Sequence, residues 1–167
     1  PGAGKSSLAC NACLSYLSDD ERCLLIDVDL RKPSLHHVFK EGMKGKGLSS
    51  VLSGMAQLSE VIVSTKYPGL DFISSGPLPP NPAELLSSKR MRNLLSIVAR
   101  AYDRVILAGP PHFRPLQLKA AIEAGKHVFM EKPVAVDPAG IRAIIATSEL
   151  AKQKGLGVVA GTQRRHE

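Results

Sequence analysis

Short apolar runs of strand character alternate with stretches of helical periodicity along this chain, and that alternation limits the folds open to it. "CLLIDV" (Cys23 to Val28) is too uniformly apolar to be a half-exposed strand. "LDFIS", the run Val105-Ile106-Leu107, "HVFMEK" and "GVVAGT" repeat the signal further on. Helices are expected between them, at residues 5–18, near Leu48 to Leu52, from Asn81 to about Ala101, from about Pro115 to Ala124, and from Pro138 to Lys154. The third starts with Asn81 as cap and Pro82 at its first position, and brings Leu85, Leu86, Leu94, Leu95 and Val98 to or near one face. "KEGMKGKG" reads as a mobile loop. This order predicts an α/β fold, a doubly wound and mostly parallel sheet with helices on both faces. Ligands of such a sheet bind at the carboxyl ends of its strands.

A chain of 167 residues can bury a sizeable core, and 44% apolar content with 4% aromatics makes that core aliphatic. No apolar run reaches the roughly 20 residues of a membrane helix, and the start has no signal-peptide pattern, so a cytoplasmic protein is expected. Cys10, Cys13 and Cys23 are too few and too clustered for a disulfide framework. The net charge of +7 is spread over separate segments and no aromatics interleave with the basic residues, so nucleic acid is not an expected partner.

"PGAGKSS" opens the chain. Glycines let backbone N–H groups face phosphate oxygens, a lysine meets the terminal phosphates, and the following hydroxyl holds magnesium. Gly2, Gly4, Lys5, Ser6 and Ser7 supply these parts, although the first position of the full motif, and the strand that feeds it, would precede residue 1. About 20 residues later "LLIDVDLRKP" puts Asp27 and Asp29 at a strand's end, spaced to face a metal-bound triphosphate.

These segments, with "GPLPPNPAELLSSKRM" and "YDRVIL", resemble the cytoplasmic domain of bacterial tyrosine kinases of the exopolysaccharide-export type, relatives of the MinD and ParA ATPases. The resemblance covers residues 1 to about 107. It implies ATP and magnesium as cofactors. Lys5 would contact phosphate, Ser6 would ligate magnesium, Asp27 would be base or metal-organiser, and Asp29 would assist at the metal. Self-association and a membrane activator at the inner membrane are implied as partners. The chain departs from the pattern in three ways: the strand before the loop is absent, Ala108 stands where a third acidic residue is expected, and no tyrosine-rich tail follows, Tyr16, Tyr67 and Tyr102 being the only tyrosines.

From Ala108 onward, "PPHFRPLQLKAAIEAGKHVFMEKPVAVDPAG" resembles the nicotinamide-binding domain of the Gfo/Idh/MocA oxidoreductases. Its core is "AGKHVFMEKP", and the resemblance makes Glu131, Lys132 and Pro133 the nicotinamide-side residues, Lys132 the catalytic one and NAD(P) the cofactor. No G-x-G-x-x-G turn and no ribose-binding acid accompany it. "VILAGPP" suits both families, so the chain reads as two segments, 1–107 and 108–167, joined within a shared strand in one continuous sheet. The expected function is impaired tyrosine-kinase-like phosphoryl transfer. The alternatives are an NAD(P)-dependent oxidoreductase and an inactive fusion or nucleotide-binding module.

Overall fold

A computed structural model describes residues 21–39 and 45–161. Packing divides the chain into two compact units, Pro1–Gly109 and Pro110–Glu167.

In the first unit, β1 (Cys23–Asp27), β2 (Val63–Ser64), β3 (Leu70–Ile73) and β4 (Arg104–Ala108) form a sheet in the order β2-β3-β1-β4. β1 runs parallel to β3 and β4, and β2 adds antiparallel to β3. All five residues of β1 are buried, as the apolar run Cys23 to Ile26 predicts for the first four; the fifth is the Asp27 carboxylate. On one face Cys23, Leu25, Leu70 and Phe72 pack with Leu35 and Phe39, and Tyr67, Ile106 and Ala108 border the cluster. The Phe39 and Phe72 rings stack with centroids 4.9 Å apart. Leu24, Ile26 and Ile73 alternate to the opposite face and are fully buried there. Each contributes roughly 1.5–3 kcal/mol by leaving water.

The helices of this unit are α1 (Leu48–Ser53), α2 (Leu58–Val61), α3 (Pro82–Ser87) and α4 (Lys89–Ala101). Pro82 begins α3 as expected, but Asn81 does not cap it with an accepted hydrogen bond; its Nδ2 donates to Glu84 Oε2 at 2.7 Å. The single helix expected over 81–101 is instead two. Ser88 is extended (φ −68°, ψ 160°), and its Oγ accepts from the Met91 N–H to start α4 afresh. A serine hydroxyl that competes for the backbone is enough to divide a helix at that point. Met91, Leu94, Leu95, Val98 and Ala99 form the buried face of α4.

Gly47 and Gly76 bring two backbone segments of the unit close together. A Cβ on Gly47 would lie 2.3 Å from the Gly76 nitrogen, and Gly76 itself has φ +75°. The approach lets the Leu48 N–H donate to Ser74 O at 2.8 Å and the Ser49 N–H to Ser75 O at 2.9 Å. The amino end of α1 is thereby fixed beside the carboxyl end of β3.

The second unit holds α5 (Arg114–Glu123), β5 (Val128–Glu131), α6 (Pro138–Gln153) and β6 (Val158–Gly161). Asp137 caps α6, accepting from the Gly140 N–H at 2.6 Å. β5 and β6 pair in parallel as a separate two-stranded sheet. The described strands thus form two sheets, one in each unit. Leu118, Ile122, Ile144 and Ala151 of the helices pack with Val128, Met130 and Val158 on one face. On the other face, the paired residues Phe129 and Val159 are exposed. The fold as a whole is α/β with predominantly parallel pairing, as the alternation predicts.

Candidate functional site at the carboxyl end of the first sheet

β1 ends in a carboxylate that its own strand buries. Asp27 is 2% exposed, and two backbone N–H groups hold it: Asp29 donates to Oδ1 at 3.1 Å and Leu35 to Oδ2 at 3.3 Å. Burial pushes its carboxyl up to about 6; the N–H groups of Asp29 and Leu35 oppose that shift, and the Asp29 charge adds to it. Asp29 makes its own turn, with Oδ1 accepting from the Arg31 N–H at 3.1 Å and the Lys32 N–H at 2.9 Å. Both acidic residues named from the sequence therefore meet at one strand end. The N–H of Leu35, which completes the hold on Asp27, had no side-chain signal that could reveal it.

Ala108 is the register partner of Asp27 across the β1–β4 pair, and its carbonyl accepts from the Val28 N–H at 3.0 Å. A carboxylate at this position would stand beside Asp27. Alanine supplies no ligand atom. Among the described residues, no group of three or more His, Cys, Asp or Glu is arranged to hold a metal. Gly2, Gly4, Lys5, Ser6 and Ser7 lie outside the described residues.

The second candidate set closes β5 in the other unit. Glu131 is the last residue of the strand, and its Oε2 accepts from the Lys132 N–H at 3.2 Å. Arg114, which the sequence reading passed over, donates from Nη1 to the Pro133 carbonyl. Burial lowers the guanidinium of Arg114, and the charge of Glu131 opposes that. The one hint in the sequence was its place at the start of α5. Lys132 is exposed.

A family model described as "Oxidoreductase family, NAD-binding Rossmann fold" matches residues 35–161. The chain belongs to that family. The match of this oxidoreductase-family chain begins well before Ala108, so it is not confined to 108–167 as the sequence led us to expect. It overlaps a second likeness. The chain is 43% identical over 111 residues to "Tyrosine-protein kinase YwqD" of Bacillus subtilis (strain 168), a stretch that covers 66% of this chain and 46% of that protein. The two matches together exceed the chain's length, so they share residues. The chain spans less than half of that curated relative.

Solved structures share the fold. "Crystal structure of the chimerical protein CapA2B2" superposes with TM-score 0.67 at 32% identity, covering 96% of this chain and 71% of that one. The septum site-determining protein MinD from Pyrococcus horikoshii OT3, solved with Mg-ADP, superposes with TM-score 0.57 at 18% identity, over 94% of this chain and 63% of that one, which shows a shared fold alone. The oxidoreductase-family chain thus also resembles a curated tyrosine-protein kinase across 66% of its length and shares its fold with MinD.

Proposed function

We propose that the chain binds ATP with magnesium as a bacterial tyrosine-kinase-like module and transfers phosphoryl groups poorly. The observation that carries this is the buried Asp27 carboxylate, held at the carboxyl end of a parallel strand beside Ala108. A ligand site belongs at that end of such a sheet. A carboxylate whose ionisation burial opposes fits a nearby cation, and its two oxygens have acceptor capacity beyond the N–H groups of Asp29 and Leu35 that they bind. Asp27 fits magnesium; Ala108 does not.

Ser6 and Asp27 would hold the ion, and the backbone of Gly2, Gly4, Ser6 and Ser7 with the Lys5 ammonium would hold the phosphates. Magnesium, when bound, neutralises charge on the transferring phosphate. Asp27 serves as base or metal-organiser in this reading, and Lys5 draws charge from the terminal phosphates. The kinase likeness also carries a membrane activator, self-association and a cytoplasmic position at the inner membrane into the proposal. No helix among the described residues is long and apolar enough to cross a membrane.

Calorimetric titration with Mg-ADP tests the reading. Binding is expected in the wild type and its loss in Lys5→Ala; no binding, or equal binding by the variant, overturns it. Binding without any phosphoryl transfer would favour the nucleotide-binding module.

The family match supports a second reading, an NAD(P)-dependent oxidoreductase in which Lys132 is the catalytic residue and Glu131 and Pro133 frame the nicotinamide. The missing glycine-rich turn counts against it. A rise in NADH fluorescence on mixing, lost in Lys132→Ala, would favour it over the kinase-like reading.

A further inference from the structure

We infer that Asp29 is a positioning residue for the Asp27 carboxylate rather than a ligand of the metal, an inference that rests on the kinase-like reading of this site. The hydrogen bonds run through two carboxylates in succession. Asp29 gives its N–H to Asp27 Oδ1, and its own Oδ1 accepts the N–H groups of Arg31 and Lys32. That reversal turns the chain through Pro33 and Ser34 so that the Leu35 N–H reaches Asp27 Oδ2. Leu35 is anchored at 1% exposure in the same apolar cluster as Leu25 and Phe72, so the turn has a fixed far end. One carboxylate oxygen of Asp29 thus serves two backbone donors, and the effect of the turn is delivered at Asp27.

Such a role depends on an acceptor oxygen and not on charge. Asparagine keeps that oxygen and alanine removes it, whereas a magnesium ligand loses its negative charge in both changes and is weakened by both. Asx turns of this kind are made equally by Asp and Asn.

Two measurements decide. The first is amide hydrogen exchange without nucleotide at Arg31, Lys32 and Leu35. In Asp29→Ala, exchange at all three is expected to accelerate about tenfold or more, and in Asp29→Asn to stay within about threefold of the wild type. Unchanged exchange at Leu35 in the alanine variant overturns the inference. The second is Mg-ADP affinity, which a turn with no bearing on the site would leave unmoved. Asp29→Asn is expected within about threefold of the wild type and Asp29→Ala weaker by about tenfold or more. Equal, large losses in both variants would make Asp29 a metal ligand and overturn it. Should Asp29→Ala fail to fold, the asparagine variant alone still decides, because a metal ligand requires its affinity to fall. Should the wild type bind no Mg-ADP, the kinase-like reading fails and the exchange measurement judges the turn by itself.

Discussion

Asp27 and Ala108 are register partners across the parallel pair β1–β4, so their side chains leave the sheet on the same face. A second carboxylate at Ala108 would stand beside one that burial already holds up to about 6. Without a cation, Ala108→Asp is expected to cost roughly 1–3 kcal/mol in thermal unfolding, through like-charge repulsion and desolvation. With magnesium and nucleotide the loss should be recovered, and phosphorylation of a tyrosine peptide should rise on the order of tenfold to a hundredfold. An unchanged rate in a variant that has regained stability would mean that the missing acid does not limit transfer.

Stability of the first unit should depend on the ionisation of Asp27. Its folded carboxyl titrates at about 6, above the ordinary 3.8, so the folded state binds more protons between those values. The contribution is full below 3.8 and is lost as pH rises through about 6. A shift of that size corresponds to about 3 kcal/mol. Urea unfolding of the wild type and Asp27→Asn across this window isolates the effect: the gap between the two should widen in the variant's favour as pH rises. A constant gap would refute the assignment.

Phe72→Ala removes one ring of the Phe39–Phe72 stack from a side chain only 1% exposed. The expected loss is about 3–5 kcal/mol in denaturant unfolding, from transfer and cavity costs together. A loss below about 1 kcal/mol would mean the site collapses around the gap.

Gly47→Ala should disturb the junction of α1 with β3. The new methyl would sit 2.3 Å from the Gly76 nitrogen and 2.5 Å from Ser74 O, both backbone atoms. Relief requires the chain to move and to weaken the Leu48–Ser74 and Ser49–Ser75 hydrogen bonds, at a cost of roughly 1–3 kcal/mol. Thermal unfolding checks the cost, and faster amide exchange at Leu48 and Ser49 checks the mechanism.

What could be read beforehand was what one residue's neighbours in sequence decide. β1 was legible because four successive apolar residues, Cys23 to Ile26, suit a strand buried on both faces, and Asp27 stood out as the acid ending that run. The division at Ser88 was not, because a serine reads the same inside a helix as at its start until its Oγ has chosen a donor. β2 spans only Val63–Ser64, too short for any period to register. Ala108 was noticed as an unusual residue at a strand end, but its place opposite Asp27 is a property of strand register, which no local pattern encodes. The turn at Asp29 escaped for a related reason: the sequence suggests an acid that faces a metal, and only the folded turn brings its oxygen to the N–H groups of Arg31 and Lys32.

The antiparallel strand β2 has a bearing on how this protein behaves in concentrated solution. Among the described strands, the first sheet is bounded by β2 on one side and β4 on the other. A strand of two residues offers almost no ladder to a foreign chain, whereas the five residues of β4 are paired along one side by β1. The short strand leaves the β2 side of this sheet little ladder for a foreign strand to extend, a protection that depends on its length far more than on which side chains it carries.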